Sequence, residues 1–142
     1  MTNVKVSSIQ EYSADSVVQV ALTAVAAGYP SPAQDYFDGT LNLSEHLIHD
    51  TTSTFVVRVS GSSMEGAGIA DGDELIVNRA RKPIDGSVVI AVLDGEMTVK
   101  RLHVTPSGIV LQAENPEYPD INVGELASLE IWAVAEICLH RL

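Results

Sequence analysis

The sequence predicts a mainly β fold: one domain of mostly antiparallel strands, a partial barrel or sandwich, with an extended N-terminal arm. Three observations lead there. From residue 55 onward, six apolar runs rich in β-branched residues follow one another at short spacing, divided by Gly, Pro and Asp. The dipeptide Asp94-Gly95 stands between two of them, and this pair readily takes the positive φ angles of a two-residue hairpin turn. A chain of 142 residues at 46% hydrophobic content is long enough for one good core and short for two ordinary domains.

Residues 1–40 have no steady periodicity and are read as an arm. Within them Val17 to Ala27 (VVQVALTAVAA) is apolar and ends in small residues, as the core of an export signal does. Glu11, Asp15, a single Lys5 and the internal Gln19 fit such a signal poorly. In Gly28-Tyr29-Pro30-Ser31-Pro32, two prolines impose extended or turn conformations and remove two backbone donors. The folded domain is assigned to residues 41–142. Leu41 to His49 (LNLSEHLIH) is expected to form a short helix starting near Asn42 or Ser44. Strands are expected at residues 55–59, 74–78, 87–93, 96–104, 108–113 and 129–142. The segment Glu114 to Asp120 (ENPEYPD) reads as a polar turn.

Charge and composition exclude several functions. Against 8 Lys+Arg stand 19 Asp+Glu, a formal net charge of -11, so no clustered basic face is available to neutralise phosphates. Direct, sequence-specific DNA binding is not expected. No run approaches the ~18 uninterrupted apolar residues of a membrane span, and a lone Cys138 rules out an internal disulfide. A cytoplasmic protein with no membrane association is the expectation. Cys138 lies in the apolar run IWAVAEICL and is read as a small buried hydrophobe, with Trp132 as a core or dimer contact. His46 and His49 can share a helical face, but no further ligands complete a set, so no metal and no cofactor is expected.

Two residues invite a chemical reading. If the Asp94-Gly95 turn pairs residues 87–93 with 96–104, alternation puts Thr98, Lys100, Leu102 and Val104 on one face of the second strand. Lys100 then either snorkels to the rim or is held among apolar groups. In the second case desolvation lowers its pKa, and a neutral amine can serve as a general base. Ser63 follows the 55–59 strand in the motif SGSSM (residues 60–64), inside a glycine-rich stretch with Gly61, Gly66, Gly68 and Gly72. Such a stretch either simply turns or presents a serine and backbone N–H groups to a substrate. A serine hydroxyl needs a base, and a neutral lysine can replace histidine in that role.

SGSSM, then GIADGDELIV (68–77), then GSVVIAVLDGEMTVKRL (86–102), then Glu114-Asn115-Pro116, resemble the self-cleaving family of LexA repressors and UmuD proteins. The resemblance covers most of the chain. It implies a LexA/UmuD C-terminal-like peptidase and dimerisation domain, with Ser63 as nucleophile and Lys100, 37 residues later, as general base. Backbone N–H groups of Ser63 and Met64 would hold the oxyanion, and Ala27-Gly28, a small residue before glycine, would be the bond cut. Val25 is the expected anchor of the arm in an apolar pocket. Only 27 residues precede Gly28, with no recognisable helix-turn-helix, and the stretch Gly28 to Tyr36 resembles the UmuD type. The resemblance therefore implies a homodimer, stimulated to self-cleavage by RecA filaments on single-stranded DNA, whose trimmed form joins a UmuC-like Y-family DNA polymerase in translesion synthesis within the SOS response. A catalytically inert dimeric interaction module, and a stand-alone LexA-like peptidase domain without a polymerase role, are the alternatives. A signal-peptidase relative would share the Ser-Lys chemistry but would be expected to carry a membrane anchor.

Overall fold

A computed structural model describes residues 3–6, 17–21, 24–30 and 37–142. The strands among them are β1 (Asn3–Val6), β2 (Val17–Ala21), β3 (Phe37–Asn42), β4 (Thr54–Ser60), β5 (Glu74–Asn78), β6 (Val88–Leu93), β7 (Glu96–Thr105), β8 (Gly108–Gln112), β9 (Ile121–Val123) and β10 (Leu129–Leu139). One helix, α1, spans Leu43–Leu47. Two compact units divide the chain, Met1–Ile9 with Asp50–Leu142 and, separately, Gln10–His49.

The larger unit carries an eight-stranded sheet in the order β1-β4-β5-β10-β6-β7-β8-β9. Every pairing in it is antiparallel, and the order has two ends, β1 and β9, so the sheet is open. The mainly β, antiparallel expectation is borne out. At the β6–β7 hairpin Leu93 pairs with Glu96, leaving Asp94 (φ 49°) and Gly95 (φ 84°) as the two-residue turn. Both central positions have positive φ, which matches the right-handed twist of the flanking strands.

β10 lies between β5 and β6 and shifts register twice, between Ile131 and Ala133 and between Ala135 and Ile137. Such irregularities let one long strand bend and serve two neighbours. Apolar side chains gather in two clusters. One holds Val57, Val59, Met64, Leu75, Val77, Ile90 and Val99, and the other Val89, Ala91, Leu102, Leu111 and Val134. Trp132 borders the first cluster, tilted against Phe55 at a ring separation of 5.2 Å and covered by the Arg79 guanidinium at 4.7 Å.

In the smaller unit β2 and β3 pair antiparallel, and α1 follows directly. Of the two cap candidates, Asn42 is the cap: its side chain accepts a hydrogen bond from Glu45 N at 3.2 Å. Four strands have no counterpart in the expected pattern, namely β1, β2, β3 and β9. β2 is exposed along its whole length, so it has no buried face to impose alternation. β3 contains Asp38 and a positive-φ Gly39, and β9 is three residues long. Glu11, Asp15 and Ser31 to Tyr36 lie outside the described residues.

Gly95→Ala forces a side chain into left-handed backbone, so it is expected to cost about 1–2 kcal/mol. Urea unfolding checks this: the midpoint should fall with an unchanged slope.

Candidate active site

β4 leads straight into the site. Its last residue, Ser60, is followed by Gly61 at φ 97°, which reverses the chain into Ser62-Ser63-Met64. The Met64 side chain, 1% exposed, is sunk in the core, and its carbonyl accepts from Ala67 N (3.0 Å) and Ile69 N (3.2 Å). A 3-10 turn, Glu65–Ala67, completes the reversal and ends on Gly68 at φ 80°. The turn is also stitched to the chain beyond β8. Glu114 N donates to Ser63 O at 2.9 Å, and Gly66 N donates to Glu114 O at 2.7 Å. A Cβ on Gly66 would lie 2.5 Å from Glu114 O, so only glycine permits this approach.

Lys100 arrives from β7. In the hairpin register it faces Val89, and Thr98 faces Ala91, two neighbours with no exposed surface. Thr98, Lys100 and Leu102 are buried on the face that alternation assigned, and Val104 emerges to 56% exposure near the strand end. Of the two readings open for Lys100, burial is the one found: 3% of the residue is exposed. Its Nζ reaches Ser63 Oγ at 3.1 Å, Thr98 Oγ1 at 3.1 Å and Val99 O at 3.0 Å. Ser63 has no exposed surface at all.

The electrostatics follow from this burial. Among the described residues no carboxylate pairs with Lys100, and desolvation alone pushes its pKa below the ordinary lysine value. As an ammonium it donates to all three oxygens. As a neutral amine it has two hydrogens for the acceptors Thr98 Oγ1 and Val99 O, which turns the lone pair toward Ser63 Oγ. That geometry can take a proton from a serine hydroxyl. Alternation along β7 gives Thr98 its face but not its partner, because threonine inside a strand is ordinary.

The structure brings Ser63, Met64 and Lys100 together. Ala27 and Gly28 belong to the other unit, in an exposed stretch, residues 24–30, without regular secondary structure. Val25, expected to anchor in an apolar pocket, is 89% exposed. His46 and His49 are solvent-exposed. Cys138, expected inside the core, is partly buried at its border. Its thiol donates to Asp73 Oδ2 at 3.4 Å, and burial together with that carboxylate pushes its pKa up to about 11.

The Peptidase S24-like family model matches residues 19–136. The chain belongs to the S24-like peptidase family. Its domain is thus of the type found in self-cleaving serine peptidases. Relatives include SamA of Salmonella typhimurium, 43% identical over 115 residues, 81% of this chain and 79% of SamA. ImpA of Salmonella typhimurium is 46% identical over 116 residues, 81% of this chain and 78% of ImpA. A LexA repressor of Delftia acidovorans is 42% identical over 111 residues, 78% of this chain but 49% of the repressor. The S24-like match covers most of this chain, and the aligned residues make up most of SamA and ImpA.

Two outcomes follow from the site geometry. Gly66→Ala must displace Glu114 O, with an expected loss of about 1–3 kcal/mol in denaturant unfolding. Lys100 binds its proton less readily in the native state than in the unfolded chain. Between its lowered native pKa and the ordinary value of 10.5, the unfolded state therefore holds the extra proton, and stability rises with pH. Lys100→Met lacks this dependence. Its stability advantage over the parent chain should be largest below the native-state pKa and shrink as pH approaches 10.5, as read by thermal unfolding across pH.

Proposed function

We propose that this S24-like peptidase cleaves its own Ala27–Gly28 bond with a Ser63-Lys100 dyad. The observation that carries the proposal is the 3.1 Å contact between Ser63 Oγ and a buried lysine that no carboxylate pairs with among the described residues. Neutral Lys100 takes the Ser63 proton as Oγ attacks the Ala27 carbonyl carbon. The N–H groups of Ser63 and Met64 hold the oxyanion, a contribution worth a factor of about 10²–10³ per donor in known enzymes. Lys100 returns the proton to the Gly28 nitrogen, and the new chain end leaves. An ester then joins Ala27 to Ser63. A water molecule, deprotonated by Lys100, hydrolyses the ester and restores the serine.

Substrate and catalyst share a chain or a dimer, so the scissile bond is presented at high effective concentration. A modest dyad suffices under those conditions. Control falls on docking: a partner that binds the cleavable arrangement better than the resting one accelerates the cut. The family resemblance and the match to SamA and ImpA support the rest of the reading. The partner is the RecA filament on single-stranded DNA, the protein acts as a homodimer, and residues 1–40 are the regulatory arm. The trimmed dimer serves a UmuC-like Y-family polymerase in error-prone SOS synthesis, as a cytoplasmic protein. The matched residues make up nearly four-fifths of SamA and ImpA, which supports this role.

The purified chain should cleave faster as pH rises through the lowered Lys100 pKa and then level off, releasing a fragment that begins at Gly28 by mass spectrometry. Ser63→Ala and Lys100→Ala should each slow cleavage by at least ~10³-fold. Undiminished cleavage in either variant sinks the dyad. Nucleotide-loaded RecA filaments should accelerate the cut at neutral pH, and an unchanged rate removes the filament from the reading.

A further inference from the structure

The segment after β8, read from the sequence as a polar turn, reaches the residue next to the nucleophile. Asn115 Nδ2 donates to Ser62 O at 2.9 Å, and the Tyr118 hydroxyl lies 3.1 Å from Ser62 Oγ. The segment is closed on itself, since Glu117 N donates to Asn115 Oδ1 and Tyr118 N to Asn115 O, each at 3.0 Å. Its other end is tied to the lysine strand. Arg101, next to Lys100, donates from Nε to Glu114 Oε1 at 2.5 Å and from a terminal nitrogen to Gly86 O at 2.6 Å. The Ser63 turn and the Lys100 strand are thus both referenced to one short piece of chain.

We infer that Asn115 and Tyr118 are positioning residues, which act through Ser62 to hold the Ser63 hydroxyl within reach of Lys100. Two physical facts require such a support. The turn is entered through Gly61, the residue type with the greatest backbone freedom, and a misplacement of about 1 Å between reacting groups can cost a factor of about 10² in rate. The backbone bonds from Glu114 fix Ser63 O and Gly66 N, while Ser62 O accepts a long backbone bond from Glu65 N, at 3.3 Å, within the turn itself. Asn115 and Tyr118 grip Ser62 by its carbonyl and its side chain, which fixes the remaining rotation of the turn. This assignment rests on the proposed self-cleavage.

The test uses the full chain and the variants Asn115→Ser, Tyr118→Phe, Ser62→Ala and Ser62→Ala/Tyr118→Phe. Serine at 115 can still accept from Glu117 N as a turn residue but is too short to reach Ser62 O. Three quantities are read: the self-cleavage rate across pH, the rate of Ser63 labelling by a fluorophosphonate, and the thermal unfolding midpoint. The alkaline plateau rate should fall about tenfold in Asn115→Ser and severalfold in Tyr118→Phe. Labelling should fall in step, with the midpoint of the pH profile and the unfolding temperature unmoved. Tyr118→Phe should add nothing once Ser62 is alanine. Unchanged plateaus, losses that track a lowered unfolding temperature, or a shift of the pH midpoint alone each overturn the assignment. If the parent chain labels without cleaving, the self-cleavage reading fails and the labelling rates still judge the positioning role. A parent chain that neither labels nor cleaves overturns both, and variants that match a cleaving parent overturn this assignment alone.

Discussion

A lysine buried among neutral acceptors is the constraint around which this domain is arranged. Taking a lysine out of water is unfavourable unless its donors are met, and Lys100 meets three oxygens while no carboxylate pairs with it among the described residues. A carboxylate at that position would hold the charge and favour the ammonium. Three neutral acceptors satisfy the hydrogen bonds yet leave the charged form disfavoured, and that combination keeps the amine available for proton transfer. Two of the acceptors come from the lysine's own strand. The third comes from a turn 37 residues earlier, so the site exists only when the sheet is assembled.

The sheet supplies the opening into which that turn fits. β7 pairs with β8 from Thr105 opposite Gly108 to Arg101 opposite Gln112, and the ladder stops there. Beyond it the backbone of Glu114 turns to Ser63 and Gly66. Val99 O, one residue before Lys100, then accepts from the Lys100 side chain. The divergence of β8 and the placement of the serine turn are one event seen from two strands. Gly66 marks it, since any side chain there would close the approach to Glu114 O.

Much of this was legible in the sequence, and what was not has a physical reason. The hairpin follows from Asp94-Gly95, whose turn conformation is a local property, and from it the face shared by Thr98, Lys100 and Leu102. The six main strands declare themselves by composition. β1, β2 and β9 stay hidden because short or fully exposed strands carry no alternating pattern. Whether Lys100 snorkels or is buried cannot be read along β7, because the answer depends on β6 and on the Ser63 turn. The reach of Asn115 and Tyr118 to Ser62 spans more than 50 positions, and a Pro-rich polar segment looks the same whether it faces water or another turn.

The three contacts of Lys100 also bear on why such a site can wait. Loss of the proton does not require the amine to find new neighbours. Thr98 Oγ1 and Val99 O keep their hydrogen bonds, and only the bond to Ser63 reverses, with the hydroxyl now donating to nitrogen. The charged and neutral forms therefore share one geometry, and little reorganisation separates the resting site from the reactive one. Under the proposed self-cleavage, the dyad is then not the element that is switched. Ala27 and Gly28 lie in an exposed stretch of a separate unit, and under the same proposal timing is set by docking of that bond at the dyad. A regulator can speed the cut only by its preference for the docked arrangement, so its binding surface must include groups that docking moves or orders.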